Sequence, residues 1–225
     1  MTGARLLENR PEKIDKCKRK NNSLILAHGA GAPAESEFME RLSEALRAEG
    51  VATVRFEFPY MERRREDGRK RPPDRAPVLL SRFREVIRAV IEDPARKDDR
   101  IFIGGKSMGG RMASLLAAQP DLADILAGCV CFGYPFHPPG KPDRWRVEHF
   151  GRFAVPVQII QGTRDPFGKQ SEVQDSPLVQ VDNCGIHWLD GADHDFRPLA
   201  RQPETQEQMI ANAARIAAGF MAVRG

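Results

Sequence analysis

The Gly-Lys-Ser-Met-Gly segment at residues 105–109 constrains the fold of this chain more than any other. An apolar run, residues 100–104, precedes it, and a run of small residues with helical character, residues 111–118, follows it. This pattern predicts a strand, a sharp turn and a helix, with Ser107 at the turn. Side chains two positions away on either side would collide with neighbouring backbone in such a turn, which explains the two glycines. Ser107 is therefore the first candidate nucleophile.

From residue 23 onwards, apolar strand-like runs alternate with amphipathic helical runs. The alternation predicts an α/β protein with a mostly parallel central sheet of about six strands, flanked by helices. We predict strands at 24–27, 51–58, 100–105, 128–133 and 155–161, and a further one near 178–181 or, in an alternative or extended register, towards 186–188. We predict helices at 35–48, 77–92 and 203–223, besides the helix after the serine turn.

The pattern also predicts an edge strand and two long loops. Residues 51–58 alternate apolar with charged side chains, which is typical of an edge strand with one partly wet face. Residues 59–76 and 135–142 are predicted to be long loops after strands, at the carboxyl edge of the sheet. Parallel α/β proteins form their sites at this edge.

With 225 residues, the chain is long enough for one domain, which we place at residues 23–225, preceded by a basic N-terminal tail or extension at 1–22. The first 20 residues contain no apolar signal region, and no stretch reaches the roughly 18 apolar residues that a membrane span requires. We therefore expect an unexported, cytoplasmic protein that does not enter the membrane.

The charge balance and the cysteines exclude other classes of function. The net charge of +4 arises from 35 basic and 31 acidic residues, so the surface is mixed and a nucleic-acid partner is not expected. The four cysteines, at 17, 129, 131 and 184, include no C-x-x-C pair. We expect neither a disulfide framework nor a metal site, and no cofactor.

A serine hydroxyl needs a base and an orienting acid to become a nucleophile at neutral pH. Asp165 lies in a loop after the strand predicted at 155–161, and His194 lies in a loop before the last helix. The order Ser, Asp, His along the chain is typical of hydrolases with this serine turn. Asp182 and Asp190 remain weaker alternatives for the acid.

The remaining requirement is a pair of hydrogen-bond donors for the oxyanion of a tetrahedral intermediate. Small residues at 29–32 follow the first strand and let backbone N–H groups approach a substrate. We predict that the N–H groups of Ala30 and Met108 form the oxyanion hole, with Gly29 or Gly31 as substitutes for Ala30. His28 is expected to support this loop.

Several residues near the predicted site have two open interpretations. Residues 60–76 are rich in arginine, and this segment is either a solvated run of charges or a clamp in which Arg63, Arg64 or Arg71 binds an anionic substrate group. Tyr60 and Phe136 are either substrate contacts or part of the core rim. His137 and His149 are expected on the surface of the loop after the fourth strand, and His187 in a strand.

Six motifs together resemble those of the α/β-hydrolase superfamily, and of its small KANL/Tex-type branch in particular. They are H-G-A-G-A-P at 28–33, F-P-Y at 58–60, G-G-K-S-M-G-G-R at 104–111, G-Y-P-F-H-P-P-G-K-P at 133–142, Q-G-T-R-D-P-F-G at 161–168 and G-A-D-H-D-F at 191–196. The resemblance covers residues 23–223 and implies the α/β-hydrolase fold. It also implies Ser107 as nucleophile, Asp165 as acid and His194 as base.

Larger hydrolases of this type often insert a helical lid after the strand that follows the serine helix, but here only residues 135–154 are available there. We therefore expect no lid domain and an open site. The expected function is a serine hydrolase, of carboxylesterase or thioesterase type, that acts on a small-molecule ester or thioester of a small or medium acyl group. The alternative is a non-catalytic or weakly catalytic interaction protein on the same scaffold. The acyl group, the pathway and the oligomeric state stay open.

Overall fold

The computed structural model describes residues 4–11 and 21–223. These residues form a seven-stranded sheet with helices on both faces. The strands are β1 (Leu6–Asn9), β2 (Asn22–Ala27), β3 (Val51–Phe56), β4 (Arg100–Lys106), β5 (Leu126–Phe132), β6 (Val157–Gly162) and β7 (Cys184–Leu189). The helices are α1 (Glu37–Ala48), α2 (Pro59–Asp67), α3 (Ala76–Glu92), α4 (Met108–Ala117), α5 (Gln170–Val173) and α6 (Gln206–Val223).

The strand order is β1-β3-β2-β4-β5-β6-β7, and every neighbouring pair is parallel except β1 with β3. Helices α3 and α4 bury residues such as Phe83 and Leu116 against one face of the sheet. Helices α1 and α6 bury Leu42 and Ile210 on the other face. The mostly parallel sheet flanked by helices, predicted from the alternation of apolar runs, is confirmed.

The connection between β5 and β6, residues 133–156, is described throughout and contains only one short 3₁₀ turn, Phe150–Arg152. The absence of a lid domain in this connection is confirmed. None of the helices in the described part of the chain is long and apolar enough to span a membrane.

The prediction that residues 51–58 form an edge strand is wrong. Residues Leu6–Asn9, which the sequence analysis assigned to the N-terminal extension, pair antiparallel with β3 and take the edge position. The charged side chains of β3 and its continuation are buried with partners: Arg55 Nη1 donates to the Ala34 carbonyl oxygen at 2.8 Å, and Glu57 accepts from Arg65 at 2.8 Å. Residues 12–20, which include Cys17 and its basic neighbours, lie outside the described residues.

Two other elements differ from the sequence prediction. Residues 178–181 are not a strand, and Val179 N–H donates to the Ser176 carbonyl oxygen at 3.2 Å in a local turn. The last strand is Cys184–Leu189, which contains the alternative position 186–188. The predicted loop at 59–76 begins as helix α2, because Pro59 stands in its first turn and Gly68, at φ 70°, ends it in the left-handed conformation.

Candidate active site

Ser107 stands at the turn between β4 and α4, with φ 52° and ψ −116°, a conformation that costs a non-glycine residue about 1–3 kcal/mol. The turn packs tightly against the end of β2. A Cβ on Gly105 would lie 2.7 Å from the Ala27 carbonyl oxygen, and one on Gly109 would lie 2.6 Å from the His28 carbonyl oxygen. Both glycines are therefore required by contacts with backbone that cannot move aside.

The three residues of the predicted triad are brought together in one chain of hydrogen bonds. His194 Nε2 lies 2.9 Å from Ser107 Oγ, and His194 Nδ1 lies 2.7 Å from Asp165 Oδ2. The Asp165 side chain is fully buried, whereas the imidazole is 19% exposed. With Nδ1 protonated towards the carboxylate, Nε2 is free to accept the serine proton.

Asp165 is held by donors besides His194. Gln161 Nε2 donates to Oδ2 at 2.9 Å and the Phe167 N–H donates to Oδ1 at 2.8 Å. Gln161 is itself fixed, because its Oε1 accepts from the Tyr134 N–H at 2.6 Å. Gln161 was not predicted from the sequence; the available signal was its place at the end of a buried strand, four residues before Asp165.

His194 is also contacted by the loop after β6 and by the end of β4. The Phe167 ring packs over His194 with 4.3 Å between ring centroids. Lys106 Nζ donates to the His194 carbonyl oxygen at 2.6 Å. The sequence analysis did not assign a role to Lys106 either, because nothing in a local motif shows which distant backbone group a buried lysine will contact.

The buried side chains of His28 and Tyr60 support the loop after β2. His28 Nδ1 lies 2.7 Å from the Gly29 carbonyl oxygen, and His28 Nε2 accepts from the Phe58 N–H at 3.2 Å. Burial lowers the pKa of His28 to about 4, so its imidazole is neutral at neutral pH. Tyr60 Oη donates to the Ala30 carbonyl oxygen at 2.9 Å.

These contacts orient the predicted oxyanion donor. The Gly29 carbonyl is turned towards His28, and the peptide that it shares with Ala30 is trans, so the Ala30 N–H points to the opposite side. Ala30 is exposed there. The Met108 N–H begins α4 and has no acceptor within the helix. Both donors are therefore available at the same edge of the sheet as Ser107, and their role in an oxyanion hole stays a prediction.

Tyr60 and Phe136 are fully buried, so neither side chain is presented to the cleft as a substrate contact. Tyr60 supports the loop after β2, and Phe136 packs against Tyr134 and Phe150. The expectation that His137 and His149 lie on the surface is wrong, since both are buried. His149 Nε2 is bonded to Ser114 Oγ at 2.8 Å, and burial lowers the pKa of this histidine to about 4.

The three arginines proposed as an anion clamp do not act together in the structure. Arg63 Nη2 donates to Asp74 Oδ1 at 2.7 Å. Arg71 Nη1 donates to Asp67 Oδ1 at 2.7 Å, and this contact lowers the pKa of Asp67 to about 2. Arg64 differs, because its Nη1 donates to the Gly31 carbonyl oxygen at 3.1 Å and so reaches the loop that carries Ala30.

Among residues 4–11 and 21–223, no three His, Cys, Asp or Glu side chains are grouped so that they could hold a metal ion. The polar groups at this sheet edge are instead a hydroxyl, an imidazole and a carboxylate in series, with the Ala30 and Met108 residues adjoining them in the loop after β2 and at the start of α4. Such a set can activate the hydroxyl as a nucleophile and receive its proton without a metal.

Residues 20–222 match a family model described as an alpha/beta hydrolase domain. A dienelactone hydrolase from Anabaena variabilis has a similar structure, with a TM-score of 0.71 at 20% identity, over 97% of this chain and 91% of that one. Est1E from Butyrivibrio proteoclasticus, solved with ferulic acid bound, gives 0.70 at 16% identity, over 98% and 96% of the two chains.

A serine hydrolase without a lid from Xanthomonas campestris is also similar, with a TM-score of 0.65 at 17% identity. The alignment covers 100% of this chain and 95% of that one. At these identities the similarity concerns the fold, which the three proteins share with this chain along nearly its whole length.

Proposed function

Because the chain belongs to the alpha/beta hydrolase family, we propose that it is a serine hydrolase that cleaves an ester or thioester of a small or medium acyl group. The observation that carries this proposal is the hydrogen-bond chain from Ser107 through His194 to the buried Asp165, with steps of 2.9 and 2.7 Å. A base within this distance of a hydroxyl, and itself oriented by a carboxylate, is what nucleophilic catalysis by serine requires.

In the proposed reaction, Ser107 Oγ attacks the carbonyl carbon of the substrate while His194 Nε2 takes the serine proton. The carbonyl oxygen becomes an oxyanion, which the N–H groups of Ala30 and Met108 stabilise. The tetrahedral intermediate then expels the alcohol or thiol, which takes the proton from His194, and leaves an acyl-serine. A water molecule, deprotonated by His194, attacks the acyl-serine by the same route and releases the acid.

The open site supports a small substrate. Only residues 133–156 connect β5 with β6, so little chain is available to enclose a long acyl group. Each methylene contributes at most about 0.8 kcal/mol even when fully buried, and an open cleft buries few of them. Two of the similar proteins point the same way, since one was solved with ferulic acid bound and the other is a dienelactone hydrolase.

The proposal is tested by treating the folded protein with a fluorophosphonate, which reacts with activated serines. We expect labelling at Ser107 alone, and none in Ser107→Ala. Nitrophenyl esters and thioesters with acyl chains of two to ten carbons, assayed in parallel, should then separate esterase from thioesterase activity. We expect a shallow dependence on chain length.

The outcome against the proposal is equally clear. Folded wild-type protein that neither reacts with the fluorophosphonate nor turns over any ester or thioester faster than Ser107→Ala is not a serine hydrolase. That result would favour the alternative of an interaction protein on a hydrolase scaffold.

A further inference from the structure

Lys106, the last residue of β4, is a buried lysine beside the base. Its side chain is 7% exposed, yet its Nζ donates to the His194 carbonyl oxygen at 2.6 Å and lies 3.4 Å from Asp195 Oδ1. The ammonium also lies over the Phe38 ring, 5.2 Å from its centre. Burial lowers the pKa of the Lys106 amine, and Asp195 opposes this effect. A charge in such a position is costly unless its partners compensate it, so packing alone does not explain a lysine there.

The position of Gly133 shows how near this ammonium lies to the imidazole. A Cβ added to Gly133 would lie 3.2 Å from Lys106 Nζ and 3.4 Å from His194 Nδ1, so both nitrogens border the same small space. Lys106 is therefore beside the hydrogen bond between His194 and Asp165, in an interior where charges interact more strongly than in water.

Lys106 and Ser107 are also neighbours in the chain. The same short segment therefore provides the Ser107 hydroxyl and, through the Lys106 ammonium, a hydrogen bond to the loop that contains His194. This arrangement couples the position of the nucleophile to that of the imidazole, and in such a site displacement by about 1 Å costs roughly 10²-fold in rate.

We infer that Lys106 is a positioning residue for the base: its ammonium holds the His194 loop in place, and its charge opposes protonation of the imidazole. This inference rests on the proposed function. Among the described residues, Asp165 from the loop after β6 contacts the imidazole directly and Lys106 from β4 borders it, while Asp193 and Asp195 from the loop that carries His194 interact with the Lys106 ammonium. Lys106 is the cation among them, so its removal should favour the imidazolium.

The test compares three variants with wild type. Lys106→Met keeps an unbranched apolar side chain as far as Cε but removes the charge and the donor, and Lys106→Gln retains a donor without the charge. Asp195→Asn removes the carboxylate that faces Lys106 and is the second route if Lys106→Met does not fold. Lys169→Met is the matched control, because Lys169 is an exposed lysine that also lies near a carboxylate.

We expect Lys106→Met to lower kcat and the rate of fluorophosphonate labelling by about 10- to 100-fold. The acid limb of its pH–rate profile should move to higher pH by roughly half a unit to one unit, because a neighbouring cation disfavours the imidazolium. Lys106→Gln should show the same pH shift with a smaller loss of kcat. Asp195→Asn should move the limb to lower pH, and Lys169→Met should change neither quantity.

Titration of the His194 ring followed by NMR gives a readout that does not depend on turnover. Its midpoint should move in the same directions in the same variants, even if wild-type protein proves inert and the proposed function fails. A folded Lys106→Met or Asp195→Asn protein in which this midpoint and the acid limb do not move would overturn the inference. So would a loss of rate in Lys106→Met without any pH shift, since a structural role alone predicts that result.

Discussion

The turn at Ser107 and the arginine segment, residues 59–76, both lie at the carboxyl edge of the sheet, but their polar groups are organised in opposite ways. Around Ser107, groups from β4, β6, the loop after β6 and the loop before α6 form a largely buried cluster, and its hydrogen bonds join segments that are distant in the chain. In the arginine segment, Arg71 and Arg63 lie closer to solvent and pair with aspartates of the same segment, Asp67 and Asp74, which are four and eleven residues away.

The difference shows what burial does to a polar residue. A buried carboxylate such as Asp165 needs specific donors, because an unpaired group there costs free energy that no water can recover. An exposed ion pair contributes only about 0–1 kcal/mol and can be replaced by solvent. We therefore expect substitutions around Ser107 to have large and specific effects, and those in the arginine segment to have small ones.

The largest expected effect is the loss of the proposed nucleophile or of the proposed base. Ser107→Ala and His194→Ala should each lower kcat by about 10⁴- to 10⁶-fold, and the double variant should be little worse, because the members of a triad act as a unit. Steady-state kinetics on the best ester or thioester of the panel provides the measurement. Losses that multiply in the double variant would mean that the two side chains act independently.

Next in size is the effect of the acid. Asp165→Asn should preserve the fold and lower kcat by about 10³- to 10⁴-fold, because an amide at this position no longer holds the productive tautomer of His194. Asp190→Asn, at an exposed position, and Asp182→Asn provide controls that should remain active. If one of these controls lost activity and Asp165→Asn did not, the assignment of the acid would be wrong.

A third effect concerns stability in acid. The folded protein holds the pKa of His28 at about 4 through burial, against 6.5 as its ordinary value. Between these two values the unfolded chain binds a proton that the folded chain excludes. The free energy of unfolding should therefore fall as the pH decreases from about 6.5 to about 4, by roughly 3 kcal/mol for His28.

Urea denaturation at pH 7 and pH 4 measures this fall in wild type and in His28→Gln, which cannot titrate. The variant should lose less stability in acid than wild type, whereas His187→Gln, at an exposed position on β7, should behave as wild type does. Equal acid sensitivity in all three proteins would show that protonation of His28 is not coupled to unfolding.

The smallest effects should come from the arginine segment. Arg63→Gln and Arg71→Gln should change kcat/KM by less than about twofold on both a neutral ester and its carboxylate-bearing analogue, because their aspartate partners already compensate these charges. Arg64→Gln should have a larger effect, about threefold, since Arg64 contacts the loop that carries Ala30.

Kinetics at low and high salt should separate specific contacts from general attraction. If Arg63→Gln or Arg71→Gln lowered kcat/KM only for the anionic ester, and did so at high salt as well, the hypothesis of an anion-binding arginine would be supported.

The same contrast explains which parts of the molecule were predictable from sequence. The turn at Ser107 has a strict local signature, since Gly105 and Gly109 are required by backbone contacts, and the alternating apolar runs determine the parallel sheet. His194 and Asp165 could be predicted because they follow strands or precede a helix in a characteristic order.

Contacts made over long sequence distances were not predictable in this way. Gln161 and Lys106 take their roles from residues brought close only by folding, and the burial of His149 depends on a partner, Ser114, on α4. The edge position predicted for residues 51–58 was wrong for the same reason. Their alternation of apolar and charged side chains is real, but the strand that pairs with them at the edge of the sheet is more than 40 residues away in the chain.

That covering strand has a practical consequence for how the protein is produced. The family match begins at residue 20, whereas β1 lies at Leu6–Asn9. A chain shortened to the matched region would keep Ser107, Asp165 and His194 but would leave the N–H and C=O groups along one side of β3 without their antiparallel neighbour. Exposed strands of this kind template the pairing of one molecule with the next. If a truncated preparation precipitates or forms oligomers, the uncovered edge of β3 is the expected cause. A low specific activity of such a preparation would then not test the proposed roles of Ser107, Asp165 and His194.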